Sequence, residues 1–133
     1  MISFIRGSLE RRAENFIIIE SGGIGYQVFV SPATLARLPQ TGAEVKVYTY
    51  LDVKEGGISM YGFSSSEEQE MFHKLLTVSG VGPKGALGFL AQLTPRQLIL
   101  AILSDDVKTL CQAPGVGRKT AQRVVLELKD KFR

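Results

Sequence analysis

In the first half of the chain, apolar residues occur in short runs separated by glycine turns, a pattern typical of β-strands. Five such runs are predicted as strands, at residues 1–6, 15–20, 26–30, 44–50 and 58–63, with one helical connection at 32–38. Five short strands with one helix predict a small barrel or sandwich, and an OB-type barrel agrees best with the number of strands.

From about residue 65, apolar residues recur every three or four positions, which predicts helices. Ser65 and Glu68 match a capping box at the start of the first helix. Pro83 stands where a helix often begins with proline, and Thr94 followed by Pro95 repeats this arrangement.

The end of the chain predicts two more helices. Asp105 or Asp106 is expected to cap a short helix that ends near Cys111. The last helix is expected to bury one face. That face contains Ala121, Val124, Val125, Leu128 and Phe132. The chain is therefore predicted to be an α+β protein, with a five-stranded OB-type barrel at residues 1–64 and an all-α domain at 65–133.

A short glycine-containing segment occurs twice in the helical half, at a constant offset of 35 residues. Residues 79–86 read SGVGPKGA, and residues 114–121 read PGVGRKTA. Each copy follows one predicted helix and opens another, which is the helix-hairpin-helix pattern. Glycine lets the backbone turn sharply and approach a ligand, and the N–H groups at a helix start suit a phosphate.

The candidate DNA contacts supply either backbone N–H groups in these turns or a cation or hydroxyl beside them. They are Ser79, Gly80, Val81, Gly82, Lys84, Gly115, Val116, Gly117, Arg118, Lys119, Thr120 and Arg123. A single copy would be interpreted as a plain helix connection. Two copies, each with a lysine two residues after the second glycine, favour binding to the sugar–phosphate backbone without reading of the bases.

Charge is unevenly placed along the chain, although the net charge is only +3. Residues 1–66 carry six basic and six acidic side chains, whereas residues 67–133 carry ten basic and seven acidic ones. The surplus lies on the half with the repeats, which favours a polyanionic partner. On charge alone, a solvated helical face is an equally good interpretation.

Other classes of function have little support. Residues 80–85 spell G-x-G-x-x-G, but a dinucleotide site needs a preceding strand, and a helix is predicted there. His73 and Cys111 are the only histidine and cysteine, so we expect no metal, no cofactor and no catalytic residue. The lone cysteine, the absence of a long apolar run and a start unlike a secretory signal predict a cytoplasmic protein without a membrane partner.

The whole chain resembles the RuvA family, the junction-recognition subunits of the bacterial branch-migration complex. The segments that carry the resemblance are residues 5–7, 22–26, 38–39, 61–63, 80–84, 114–121 and 127–130. The resemblance implies a homotetramer, with a possible octamer on DNA, that holds an open Holliday junction. It also implies that the barrel domain makes the tetramer and that the hairpins hold the arms of the junction.

The resemblance further implies an acidic pin at the crossover, carried by the predicted hairpin tip at residues 52–57. Glu55 matches one pin position, Gly56 stands where a second acid is usual, and Asp52 is the nearest substitute. The RuvB motor and the RuvC resolvase are the implied protein partners. Family members usually continue into a third helical domain that engages RuvB, so RuvB contact is expected to be weak within these residues.

Two alternatives remain open at this stage. One is a helix-hairpin-helix repair enzyme, a glycosylase or nuclease, for which the chain offers no convincing reactive cluster. The other is a single-strand-binding OB protein, which would stack bases on the aromatic side chains of the barrel half.

Overall fold

The computed structural model describes residues 1–132, which form two compact units divided between Gln69 and Glu70. The first unit is a closed barrel of five strands. They are β1 (Phe4–Arg12), β2 (Phe16–Ser21), β3 (Ile24–Phe29), β4 (Glu44–Lys54) and β5 (Gly57–Phe63). A short helix, α1 (Pro32–Arg37), joins β3 to β4. The strand order is β1-β2-β3-β5-β4, and only the β3–β5 pair is parallel.

The barrel interior is filled by alternate residues of the strands, because side chains on a strand point to opposite faces in turn. Ile17 and Ile19 of β2 are fully buried, and so is Val47 of β4. Gly62 of β5 allows the walls to approach closely, since a Cβ there would lie 2.6 Å from Val28 and 2.7 Å from Val47. The predicted OB-type barrel is therefore confirmed.

Two strands are longer than the sequence pattern predicted. β1 begins at Phe4 and continues to Arg12, because its first part pairs with β4 and its second part pairs with β2. The register shifts between Leu9 and Arg11, and this irregularity interrupts the alternation that would have marked the strand. β4 continues to Lys54, so the prediction that an exposed tip begins at Asp52 is wrong.

Within residues 1–132, five α-helices follow the barrel. They are α2 (Ser66–Leu76), α3 (Pro83–Gln92), α4 (Pro95–Leu103), α5 (Val107–Leu110) and α6 (Arg118–Leu128). Thr94 and Gln97 form a complete capping box at α4. Among the described residues no single helix is long and apolar enough to cross a membrane; α3 and α4 pass that test only together, as a pair bent by 98°.

The prediction that Asp105 or Asp106 caps α5 is confirmed, since the Asp106 side chain accepts the Thr109 N–H. The Ser65 hydroxyl accepts the Glu68 N–H, which is the first half of the predicted capping box. The Glu68 carboxylate is instead buried against two serine hydroxyls and Arg37. Among the described residues the box is therefore only half formed.

The last helix also ends earlier than predicted. α6 stops at Leu128 and a 3₁₀ turn covers Lys129–Lys131, which places Phe132 beyond the helix. Its other predicted core residues, Ala121, Val124, Val125 and Leu128, are buried as expected.

Candidate nucleic-acid interface

The two glycine repeats form two turns of nearly the same geometry. Gly80 and Gly115 adopt left-handed φ angles of 86° and 75°, which favour glycine. The next residue in each copy donates its N–H back across the turn at 3.1 Å, Val81 to the Val78 carbonyl and Val116 to the Ala113 carbonyl. Both valine side chains are buried. The valines therefore close the turns, and their own N–H groups are already used.

The second glycine of each copy begins a helix without a side-chain cap. Gly82 and Gly117 are the N-caps of α3 and α6, and no side chain of the described residues bonds to either helix start. The first bonds inside the helices come from the N–H groups of Ala86 and Ala121, at 2.9 Å and 3.0 Å. The N–H groups of the first turn before them lack intrahelical acceptors, so they are suited to an anion.

The two helix starts differ in the number of donors. Pro83 occupies the first helical position of α3 and has no N–H. Arg118 occupies the same position in α6, where it contributes both an N–H and a guanidinium. Lys84 and Lys119 follow at the second position of each helix, and both are exposed. The second hairpin therefore offers more cationic and amide groups than the first.

Residues of both hairpins meet in one cleft of about 440 Å³. Ser79 and Gly80 line it from the first turn, and Lys119, Thr120 and Arg123 line it from α6. Lys84 and Arg118 are exposed at the helix starts but lie outside this lining. Five of the twelve predicted contacts thus line one cleft, which joins the first turn to the helix that follows the second turn.

One residue of this region was not among the predicted contacts. The Glu127 carboxylate accepts the Ser79 N–H at 3.2 Å and the Arg123 Nε–H at 2.8 Å. The spacing of Arg123 and Glu127, four residues apart on one helix, is a recognisable pairing signal. The bond to Ser79 spans 48 residues of sequence and has no such signal.

The two hairpins also touch through their backbones. A Cβ on Gly88 of α3 would lie 2.9 Å from the carbonyl oxygen of Pro114, the residue before the second turn. That distance is shorter than ordinary van der Waals contact, so a glycine is required for this approach. The packing of α3 against the second turn thus complements the bond from Ser79 to α6.

In the first unit, the β4–β5 hairpin has Glu55 and Gly56 at its tip, both exposed. The Asp52 carboxylate is not part of that tip, because it lies 3.2 Å from Lys54 Nζ with only 13% of its side chain exposed. Tyr50 pairs with Tyr61 in the β4–β5 register, so Asp52, two residues further along β4, lies on the same sheet face as Tyr61. Burial, and then the Asp52 carboxylate, raise the pKa of Tyr61. Glu55 is therefore the acid that this tip presents to solvent.

Within residues 1–132, no group of three or more His, Cys, Asp or Glu side chains is placed to hold a metal ion. His73 is exposed on α2, and Cys111 follows α5 in a half-buried position as a free thiol. The described residues thus supply hydrogen-bond donors and cations at the hairpins, which is the chemistry of phosphate binding.

A closed OB-type barrel followed by tandem hairpins, with helix starts that lack side-chain caps, defines a class of proteins suited to contact a sugar–phosphate backbone. Residues 1–62 match the RuvA N terminal domain, and residues 72–130 match the SAM-like helix-hairpin-helix tandem. The chain belongs to the RuvA family. This confirms the resemblance seen in the sequence.

Curated relatives of the chain carry the name Holliday junction branch migration complex subunit RuvA. The protein of Acetivibrio thermocellus is 50% identical over 133 residues, and that of Ruminiclostridium cellulolyticum is 47% identical over 132 residues. The Thermoanaerobacter sp. protein is also 47% identical over 132 residues. These matches cover 99–100% of this chain, which spans 66% of the length of the first two relatives and 71% of the third.

Proposed function

We propose that this chain is a non-catalytic scaffold that binds four-way DNA junctions by their sugar–phosphate backbone and serves a branch migration complex. The cleft shared by the two hairpins is the observation that supports this most directly, because it places the first turn, at Ser79 and Gly80, beside the Lys119 and Arg123 cations of the second hairpin. The names of the relatives support junctions as the substrate and membership of a branch migration complex. Within that complex we propose a motor subunit, RuvB, as the partner.

In this proposal the hairpins hold arms of the junction and do not read bases. A single hairpin binds weakly, whereas several copies of the chain in one assembly bind the arms together and gain by multivalency. We propose a homotetramer as that assembly. The exposed Glu55 at the β4–β5 tip is proposed as the acidic pin, which acts by keeping phosphates away from the crossover.

The test is a competition gel at one salt concentration with three labelled ligands of equal length, a four-way junction, a duplex and a single strand. A mass measurement in solution is made on the same sample. We expect the junction to bind most tightly and the complex to contain a multiple of four chains. Two junctions of unrelated sequence should bind equally, because backbone contacts carry no sequence information.

Two results would contradict the proposal. Tighter binding to the single strand would move the binding surface to the barrel and its aromatic residues. A specific cut product, formed when branched or damaged DNA is incubated with the protein and Mg²⁺, would show that the chain is an enzyme.

A further inference from the structure

Glu127 places a negative charge within the cationic surface of the hairpins. Its carboxylate is anchored from two sides, by the Ser79 N–H of the first turn and by Arg123 one helical turn earlier on α6. About a quarter of its side chain is exposed, compared with 54% for Arg123. An acid next to a surface that binds a polyanion should weaken binding by Coulomb repulsion, so its presence there needs an explanation.

The pattern of bonds gives that explanation. Glu127 engages Nε of Arg123 and leaves the two terminal nitrogens of the guanidinium without a bond to any described residue. A guanidinium held at Nε has its forked end fixed in direction and available for a phosphate. The second carboxylate oxygen ties the first turn to α6, so one side chain joins a cation of the second hairpin to the backbone of the first.

We propose that Glu127 is a positioning residue for DNA binding, which orients Arg123 and fixes the spacing of the two hairpin turns. The inference rests on the proposed function, since it assumes that the cleft contacts phosphates. Coulomb repulsion alone would make DNA bind more tightly when the negative charge of Glu127 is removed. A positioning role has the opposite effect, so that removal weakens binding although the surface becomes more positive.

The experiment measures junction affinity of the full chain over a series of salt concentrations, for the wild type, Glu127→Gln and Glu127→Ala. We expect Glu127→Ala to bind roughly 2- to 10-fold more weakly, which is the size of the net contribution of one ordinary hydrogen bond. The salt slope, which is the slope of log affinity against log salt concentration, should become less steep as well, because a released Arg123 makes fewer phosphate contacts. Glu127→Gln keeps one acceptor oxygen, so its junction affinity should lie between those of the wild type and Glu127→Ala.

The matched control is Glu70→Ala, which removes an exposed acid from α2 in the same unit. It should bind as tightly as the wild type or slightly tighter. In the double variant Arg123→Ala/Glu127→Ala, the glutamate substitution should weaken junction binding less than it does in the wild-type background. The reason is that part of the effect of Glu127 acts through Arg123. Thermal unfolding of each variant separates this effect from lost stability, because an exposed i,i+4 ion pair contributes little to folding.

The outcomes distinguish this inference from the function on which it rests. If the wild type fails to prefer junctions, the proposed function is wrong. If the wild type prefers junctions but Glu127→Ala binds them as tightly as Glu70→Ala or tighter, the positioning role is wrong and the function stands. Weaker binding of Glu127→Ala with an unchanged salt slope would also overturn the role assigned to Arg123.

Discussion

The first hairpin enters its turn from the eleven-residue helix α2, whereas the second enters from the four-residue helix α5. Both nevertheless place a glycine in the left-handed region, followed by a buried valine. In both, a second glycine is the N-cap of the next helix and makes no side-chain cap bond. The turn is therefore determined by its own few residues. The length of the preceding helix does not change it.

The residue just before each turn shows where the two hairpins differ. Ser79 donates its N–H to Glu127 on α6, while Pro114 has no N–H and instead brings its carbonyl oxygen against Gly88 on α3. Each turn thus contacts the second helix of the other hairpin. The geometry within a hairpin is local, but the spacing between hairpins is set by these two unlike contacts.

The largest effect is expected when the backbone contact is broken. Gly88→Ala would place a Cβ 2.9 Å from the Pro114 carbonyl oxygen, so α3 and the second turn must separate. We expect a loss of about 1–3 kcal/mol in the free energy of unfolding, typical of an overpacked site, together with weaker junction binding. Denaturant unfolding followed by circular dichroism measures the first quantity.

Gly85→Ala is the matched control for that variant, since it lies one turn earlier on the same helix. A Cβ there would lie 3.8 Å from the nearest side-chain atom, an ordinary contact. Alanine is also the better helix former, so this variant should be as stable as the wild type or more stable. Equal destabilisation of the two variants would show that the Gly88–Pro114 contact does not matter.

The contrast between local and long-range contacts also explains what the sequence could predict. Gly80 and Gly115 marked both turns, because a glycine followed by a helix start is a short-range signal. The bond from Ser79 to Glu127 was invisible, since it joins residues 48 positions apart. The wrong prediction that the exposed hairpin tip begins at Asp52 has a similar origin. Only the pairing of β4 with β5 shows that the strand continues to Lys54.

A second pair of variants tests whether the two turns are equivalent. Gly80→Ala and Gly115→Ala each force a side chain into the left-handed region, at φ of 86° and 75°. Each should cost about 1–2 kcal/mol of folding stability, and the two costs should agree closely. Unfolding curves of the two variants provide the comparison. A large difference would mean that α2 and α5, and not the turns themselves, determine the local geometry.

The third test compares the two lysines, whose effects are on binding and not on folding. Lys84→Ala and Lys119→Ala should each reduce the salt slope of junction binding by about one unit per lost phosphate contact. Lys119→Ala should lose more affinity, because Lys119 lines the shared cleft and Lys84 does not. Both losses should be the same for junctions of different sequence.

Lys108→Ala is the control for the lysine pair, because it removes one exposed cation from α5, outside both turns. It should change affinity only through the net charge. If Lys84→Ala and Lys108→Ala weaken binding equally, the first hairpin makes no specific phosphate contact. A loss that depends on the DNA sequence would instead indicate base recognition.

The smallest expected effect concerns the short helix that precedes the second turn. The Thr109 hydroxyl, and then the Thr109 N–H, hold the pKa of Asp106 below its ordinary value. A carboxyl with a lowered pKa stabilises the folded state when ionised, so its contribution is present above about pH 4 and is lost as the pH falls through the folded-state pKa. Asp106→Asn keeps an N-cap oxygen but cannot titrate.

We therefore expect the melting temperature of Asp106→Asn to fall slightly less than that of the wild type between neutral pH and about pH 3. Glu70→Gln removes an exposed carboxylate from α2 and should follow the wild type. Thermal unfolding monitored by circular dichroism at each pH measures the difference. If Asp106→Asn and the wild type lose stability in parallel, the charge on this cap does not support α5, and the four-residue helix is held by the uncharged cap hydrogen bond and the packing of the buried Leu110.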